Sequence, residues 1–424
     1  MGQTMAQKIL ARAAGKSAVE PGEYVTVSPD YTCGHEIFWL MNKRNMDKIG
    51  VDRFARPDKV LMVIDHTTQA ALGSAYHEAH KSLRDFAKRT GFENFFGAGT
   101  GLRHLVLAER GFARPGLLIF SDEGNIATVG AFGALNVHLS WEVLATLVGD
   151  ENWVLVPKTI KIDLDGKLGF GVLPRDLVQV VNRDFATTDV MAQGCVEYGG
   201  SAIAELSLDD RQTILAGAYH AGADTAIMAV DAKALAYVEA RSHGRPYQVV
   251  TSDADAPYAH RARYDLSALA PKVTVPPEMA SVVDVGEVAG LAVDQATIGS
   301  CAANRLDDLR AAARVLKGRK VAKHVTMYIS PGSQEVIAGA AREGLLEIFA
   351  EAGATVLGPG CNTCWGYLGT LNDGEVSIST HQHNYHGRNG SREAKVYLGG
   401  PYVVAASAVA GKIVDPRELL AERT

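Results

Sequence analysis

The sequence predicts an α/β fold built on largely parallel sheets, and three observations predict it. Short apolar runs that read as buried strands alternate with longer segments of helical periodicity. At 424 residues the chain exceeds one ordinary domain, so two or three such layered bodies are expected. Residues able to do chemistry also recur where an apolar run gives way to a turn, which is where ligands gather in open α/β sheets.

In chain order, "KVLMVID" (Lys59–Asp65) reads as the first clear strand, and residues 67–91 after it read as a helix. "PGLLIFSD" (Pro115–Asp122) reads as a second strand, leading into a glycine- and alanine-rich run, Ala127–Gly149, of helical character. "VPKTIKIDLDGKLGFGV" (Val156–Val172) reads as a β-hairpin turning at Asp165-Gly166 and opens a second domain. The prolines of Tyr264–Ala280 mark the next boundary, so the expected domains are 1–156, 157–263 and 264–424. The strand–helix theme repeats in "VTMYISPGS" followed by Gln334–Ala354, and then in "TVLGPGC" (Thr355–Cys361). Asp65-His66, Asp122, Cys301 and Cys361 all fall just after strand-like runs.

The composition excludes several classes. A net charge of −6 gives no basic surface for nucleic acid, which is not expected as a partner. The longest late apolar run, "YVVAASAVAG", is well short of the ~20 residues of a bilayer crossing, so no membrane association is expected. The N-terminus has amphipathic spacing without a long apolar core, which argues against a cleaved signal peptide and for a cytoplasmic protein. Five cysteines in such a chain suit metal binding, catalysis or inert burial better than disulfides.

The cysteines pose the functional question. Cys361 and Cys364 form a C-x-x-C in "GPGCNTCWG", late in the chain, where a thioredoxin-like pair does not belong, and no second C-x-x-C completes a four-thiolate zinc site. Cys301, in the small-residue turn "IGSCAANR", is the third candidate. Three thiolates suit an iron–sulfur cluster with one iron lacking a protein thiolate, or a zinc site completed by histidine or water. Spacing alone also allows three thiols that are merely buried. Cys33 and Cys195 read as core or near-site thiols.

The segments "VIDH", "RHLVLAERGFARPG", "GAFGAL", "VEYGGSAIAELS", "IGSCAANRLDDLRAAARVLKGRKVA", "GPGCNTCWG" and "NYHGRNG" together resemble the large subunit of 3-isopropylmalate dehydratase. That subunit belongs to the aconitase superfamily of [4Fe-4S] hydro-lyases, and the resemblance runs through nearly the whole chain. It implies three α/β/α domains packed around a [4Fe-4S] cluster held by Cys301, Cys361 and Cys364. The open iron then serves as a Lewis acid for a hydroxy acid. It also implies that the swivelling domain is a separate small subunit, the expected partner, which supplies the base. Asp65 and His66 match the family's catalytic pair, His104 matches a histidine that would pair with Asp122, and Arg388 matches an arginine that holds a substrate carboxylate. His35 lies where the family has a residue close to the cluster.

Departures concentrate on the substrate side. Asp122-Glu123-Gly124-Asn125 stands where the family shows Asp-Ser-His-Thr, and His381-Gln382-His383-Asn384 where it shows Ser-Asn-Arg-Asn. Ala216 and His220 replace asparagine and glutamate, and Ala302 and Ala303 replace threonine and asparagine. Glu123, Asn125, His220, Gln382 and His383 are therefore candidate substrate contacts with altered chemistry, and a substrate other than 3-isopropylmalate is expected. A different elimination on the same scaffold, or a cluster-bearing binding protein, are the alternatives these changes leave open.

Overall fold

The computed structural model describes residues 2–68, 73–366 and 368–421. They group into two compact units that interleave along the chain. The first comprises Met1–Leu164, Asp189–Ala204 and Gly222–Tyr264, and the second Asp165–Thr188, Glu205–Ala221 and Asp265–Thr424.

The first unit carries strands β1 (Tyr24–Val27), β2 (Tyr31–His35), β3 (Val60–Val63), β4 (Phe95–Phe96), β5 (Leu118–Ser121), β6 (Leu135–His138) and β7 (Asn152–Leu155). Five of them form a parallel sheet in the order β4-β3-β2-β5-β6. The chain winds outward from β2 to one side through β3 and β4, then to the other through β5 and β6. The carboxyl ends of β3, β2 and β5 thus lie side by side at the reversal of strand order, the switch point where such sheets bind ligands. Trp39, Phe54, Phe86 and Phe92 fill the core on one face with edge-to-face ring contacts. A second sheet of this unit has the order β10-β9-β8-β11, from β8 (Lys158–Asp165), β9 (Gly194–Gly199), β10 (Thr225–Met228) and β11 (His260–Asp265).

The second unit is built on a seven-stranded sheet, from β12 (Lys272–Thr274), β13 (Val282–Asp284), β14 (Gln295–Ile298), β15 (Thr326–Ile329), β16 (Thr355–Val356), β17 (Val376–Ser379) and β18 (Lys395–Gly399). The order is β13-β12-β18-β17-β14-β15-β16, parallel from β18 to β16, with an antiparallel edge at β12 and β13. The apolar helix Pro401–Ala410 is buried along nearly its whole length.

The α/β class and its parallel sheets match the expectation. Several elements differ. The hairpin expected at Asp165-Gly166 is absent: β8 pairs in parallel with β9, and Gly166 (φ +74°) ends it in a turn that leads to the helix Pro174–Phe185. The helical run expected over Ala127–Gly149 is instead a 3-10 helix (Gly124–Phe132), strand β6 and a short helix (Val143–Gly149). Gly133 (φ +69°) stops the first piece, and Gly130 sits so close to β10 that a Cβ there would lie 2.3 Å from the Ala226 carbonyl oxygen. The helix expected over 67–91 runs from Ser74 to Thr90, and residues 69–72 of that expectation lie outside the described residues. The helix expected over 334–354 is two, Gln334–Arg342 and Leu345–Ala352, broken at Gly344 (φ +71°).

The expected domain boundaries map unevenly onto the units. The one at 156/157 falls between two sheets of the first unit, and the one at 263/264 falls one residue before a unit boundary, which lies between Tyr264 and Asp265. Residues 165–188 and 205–221 of the expected middle domain pack with the second unit. The helix Pro174–Phe185 shows why: Gln179 Nε2 donates to Thr274 Oγ1 and to the Leu398 carbonyl, each at 2.9 Å, and Asp176 Oδ1 accepts from Lys272 N at 2.8 Å. Among the described residues no helix is long and apolar enough to cross a membrane.

Candidate active-site residues in each unit

At the switch point of the first unit, the turns after β2, β3 and β5 deliver His35, Asp65-His66 and Asp122-Glu123. The Glu36 carboxylate, fully buried, accepts from the backbone N–H groups of Asp65 (3.1 Å), His66 (2.8 Å) and Thr67 (2.6 Å) and so fixes the turn that carries the Asp-His pair. His66 Nδ1 lies 2.6 Å from Asp65 Oδ1, and its ring stacks on His35 with centroids 4.2 Å apart. Asp65 Oδ2 accepts from Arg103 N at 2.9 Å and lies 3.3 Å from Arg103 Nε. The other two guanidinium nitrogens of Arg103 pair with Asp122 and Glu123. Glu123 Oε1 accepts from Asn125 Nδ2 at 2.9 Å, and Glu123 Oε2 lies 4.0 Å from His66 Nε2.

Arg103, which the sequence reading did not include, is thus an ion-pair partner of Asp122. His104 is the next residue of the helix Arg103–Glu109 and is buried. Neighbouring helical residues point about 100° apart, and the register of this helix turns Arg103 toward the strand ends.

Burial opposes every charge in this cluster, and its partners decide each outcome. For His66, burial works against the imidazolium, but the Asp65 carboxylate outweighs it and raises the pKa to about 9. Asp65 is likewise opposed by burial yet held down to about 2 by His66 and Arg103. Burial wins at Asp122, which rises to about 6 even with Arg103 beside it. Glu123 is lowered, because Arg103 and His66 overcome burial. His35 is pushed well down by burial and by Arg103, so it is neutral. At neutral pH the set holds a charged imidazolium with a hydrogen-bonded carboxylate at Nδ1, which is the make-up of a general acid.

A stability prediction follows from His66. Its folded pKa, about 9, lies above the unfolded value near 6.5, so its contribution is complete below pH 6.5 and is lost as pH rises to 9. The wild-type chain is expected to lose at most about 3 kcal/mol over that window through this group, and His66→Asn to flatten the alkaline limb. Urea melts across the pH series measure this, and an unchanged limb in the variant would contradict the assignment.

In the second unit, Cys301 follows β14 through Gly299 and Ser300, and Ser300 has φ +67°. A Cβ on Gly299 would lie 2.7 Å from Ser330 Cβ, so this turn needs glycine. Cys361 and Cys364 flank the start and middle of a short 3-10 turn after β16, with Cys364 N donating to the Cys361 carbonyl at 3.0 Å. All three thiols are buried. Arg388 stacks over Trp365, donates from Nε to the Cys364 carbonyl at 2.7 Å, and places Nη2 3.8 Å from Cys364 Sγ. His381 Nε2 lies 3.0 Å from Thr363 Oγ1, so the loop after β17 is tied to the C-x-x-C turn.

Arg175, also fully buried, donates from Nη1 to Gln382 Oε1 at 2.8 Å and from Nη2 to the His381 carbonyl at 2.7 Å. Gln382 Nε2 donates in turn to the Ala216 carbonyl at 3.4 Å. His220 and His383 pack edge to face with ring centroids 4.7 Å apart, and burial followed by His383 drives the His220 pKa well down, leaving it neutral. Burial likewise lowers His381 to about 3. His386 is exposed, with Nδ1 3.0 Å from the Arg392 carbonyl oxygen. The loop histidines thus have separate partners. Cys33 and Cys195 are core thiols whose pKa values burial raises.

Sequence reading missed Glu36, Arg103 and Arg175. Each is a charged residue beside apolar neighbours ("GHEIF", "GLRHLVL", "VLPRDLV"), which was the available signal.

Among the described residues, one group of donors lies close enough together to hold a metal ion. His35, Glu36, Asp65 and His66 each offer one ligand atom within 4.8 Å of the others. However, Glu36 is occupied by backbone N–H groups, His66 Nδ1 by Asp65, and His35 Nδ1 accepts from Ile37 N. The thiol set differs: sulfur-only donors suit iron–sulfur or zinc and not hard cations. Asn304, three residues after Cys301, and Asn384, in the loop tied to the C-x-x-C turn, are buried with both side-chain polar atoms unpartnered. Orphaned buried amides of this kind call for a bound group, and buried thiols are donors of the type that suits an iron–sulfur cluster.

Comparison with known proteins defines the class. The chain belongs to the aconitase family, whose model, described as aconitate hydratase, matches residues 7–291 and 286–411. In particular it is similar to the 3-isopropylmalate dehydratase large subunit of Heliobacterium modesticaldum, 39% identical over 99% of this chain and 100% of the relative. It is similarly related to large subunits named 3-isopropylmalate dehydratase from Methanopyrus kandleri and Pyrococcus furiosus, each 38% identical over 99% of this chain and 100% and 99% of the relative. Among solved structures it is similar to Thermococcus kodakaraensis aconitase X in its holo form (TM-score 0.49, 12% identity, 89% of each chain).

Proposed function

We propose that this chain is the large, catalytic subunit of a cytoplasmic iron–sulfur hydro-lyase that reversibly dehydrates a small hydroxy acid other than 3-isopropylmalate. The observation that carries the reading is a contrast. Asp65 and His66 form a buried hydrogen-bonded pair and Cys301, Cys361 and Cys364 are free buried thiols, while the positions where the family contacts substrate carry other residues, which supports the reading. Cys301, Cys361 and Cys364 would hold a [4Fe-4S] cluster, which would supply a Lewis acid for a substrate oxygen. His66, charged and oriented by Asp65, gives the Nε2 proton to the departing oxygen. Glu36 holds the Asp65 turn through its backbone N–H, and His66 and Arg103 keep the Asp65 carboxylate ionised. The proton on the adjacent carbon goes to a base of the small subunit, a partner that the "large subunit" relatives make reasonable.

The substrate argument rests on charge. Where the family has an arginine, this chain has His383 packed on the neutral His220, so the contact for one carboxylate is gone. A carboxylate that loses a bidentate cation gives up a few kcal/mol. The chain, reconstituted with cluster and co-expressed small subunit, is expected to dehydrate a member of a panel of three- to six-carbon hydroxy acids that carry a C–H next to the C–OH. It should do so at a kcat/KM at least about a hundredfold above that for 3-isopropylmalate. Preference for 3-isopropylmalate would overturn the substrate part of the proposal, and no turnover of any hydroxy acid would overturn the whole.

A further inference from the structure

A cavity of about 280 Å³ lies in the first unit among the end of β6, strand β7 and the start of β10. It is separate from the strand-end cluster, since none of Asp65, His66, Arg103, Asp122 and Glu123 lines it. Its size falls just below the ~300–1,000 Å³ of pockets for drug-sized ligands, so its occupant is small. Val137, Leu139, Leu155 and Pro157 give it apolar walls. Trp153 lines it as well, 59% exposed and packed edge to face on Tyr24 with ring centroids 5.5 Å apart. An exposed indole beside an apolar cavity offers a ligand both contact area and a face that attracts cations.

The polar lining is rich in acceptors. Glu142 and Asp224 contribute two surface carboxylates, and neither Lys nor Arg lines the cavity. Desolvation raises the Asp224 carboxyl above its ordinary range with no cation to offset it, and burial lowers His138, leaving that imidazole neutral. Two buried lining residues add unmet capacity. Thr225 Oγ1 has no hydrogen-bond partner. Ser121 Oγ lies 2.8 Å from the Asn136 side-chain amide and 2.8 Å from the Glu123 carbonyl oxygen. The single hydroxyl hydrogen of Ser121 cannot serve two oxygens, so Ser121 donates to Glu123 and Asn136 turns its Nδ2 toward Ser121. The amide atom left without a partner is then the Asn136 oxygen, an acceptor.

Acceptors without a cation select the charge of the ligand. A hydroxy-acid anion would meet two carboxylates and no counter-charge. A calcium-like cation asks for about six to eight oxygens, and apolar walls supply none. An organic ammonium ion suits both halves, with N–H donors for the acceptors and carbon for the walls. We propose that this cavity binds a small organic ammonium ion, whose charge is taken by Glu142 and Asp224 and whose apolar body packs on Leu139, Leu155 and Trp153. The site is independent of the dehydratase reading above.

The test is calorimetric titration of the full chain with three probes that carry the same isopentyl group: isopentylammonium, 3-methyl-1-butanol and 4-methylpentanoate. Isopentylammonium is expected to bind with a Kd of about 1 mM or tighter, the alcohol about tenfold more weakly, and the carboxylate not at all. Glu142→Gln/Asp224→Asn should weaken the ammonium about tenfold and leave the alcohol within about twofold, because only charge is removed. Trp153→Ala should weaken both. The two carboxylates lie at the surface, so the double variant should fold. If it does not, the single variants replace it, each expected to weaken the ammonium about threefold. No binding of isopentylammonium at about 20 mM would overturn the site. So would equal binding of the alcohol or the carboxylate, undiminished ammonium binding in the carboxylate variants, or unchanged affinities in Trp153→Ala. A chain that turns over no hydroxy acid would sink the dehydratase reading alone, and these titrations would still decide the cavity.

Discussion

Cys361→Ser is expected to leave a folded chain that carries almost no iron and no acid-labile sulfide and that turns over nothing. The substitution is nearly isosteric at a buried position, so the turn between Gly360 and Gly366 keeps its shape. The hydrogen bond from Cys364 N to the residue-361 carbonyl does not involve the lost sulfur. What is lost is one of three soft ligands, and serine oxygen is a poor substitute for thiolate toward iron. Cys301→Ser and Cys364→Ser should behave alike. Cys195→Ser is the control, because that thiol is a core residue whose pKa burial raises, and it should retain full iron and sulfide. Metal and sulfide analysis, with EPR before and after mild oxidation, separates the outcomes. If the three cysteine variants bind as much iron as the wild type, the thiol set is structural. Zinc without sulfide in the wild type would place the chain outside iron–sulfur chemistry.

The parts of this protein that were legible in its sequence share one cause. Asp65, Asp122, Cys301 and Cys361 each follow an apolar run, and in a parallel sheet every such run ends at the same edge. Periodicity alone therefore places them at carboxyl ends of strands. The misreadings also have identifiable causes. Asp165-Gly166 is a good local turn signal, but local chemistry does not say whether the chain returns as a partner strand or departs into a helix, and here β9 takes the pairing edge. Helical composition over Ala127–Gly149 gave no sign that Gly130 must let the chain approach β10. Charged groups were the least legible. Arg103 pairs with Asp122 across 19 positions, a partnership that neither local composition nor spacing announces. The roles of Glu36 and Arg175 exist only through groups about 30 and 207 positions away.

The substrate side shows the same limit from another direction. Sequence comparison finds Glu123 and His383 as departures, and the structure shows what each has joined. Glu123 extends the Arg103 network to its exposed edge, and His383 pairs with His220, itself a departure. His220 and His383 meet through a ring contact and not a hydrogen bond, and the buried Nε2 of His220 is left without a hydrogen-bond partner.

Arg103→Met is expected to cost the chain about 3–5 kcal/mol near neutral pH, the usual result of removing one partner from a buried ionic network. Arg103 is fully buried and is the shared counter-charge of Asp65, Asp122 and Glu123, so its loss leaves three carboxylates facing His66 alone. The pH dependence has a definite sign. In the wild type, Asp65 titrates at about 2, below its unfolded value near 3.9, so its stabilising contribution is present above pH 4 and disappears as pH falls to 2. Without Arg103 the Asp122 carboxyl, already above its unfolded value, loses the cation that lowers it and rises further, so protonation there favours the folded state. Asp122, already at about 6, should protonate first. The penalty of Arg103→Met should therefore shrink as pH falls from 7 toward 5, and Arg103→Met/Asp122→Asn should recover part of the loss at pH 7. Arg103→Lys keeps the charge but cannot span three carboxylates with a rigid fork, so it should fall between the two. Urea melts at pH 5 and 7 measure each variant. A cost below about 1 kcal/mol, or one that does not change with pH, would show that the network does not hold the Asp65–His66 pair in place.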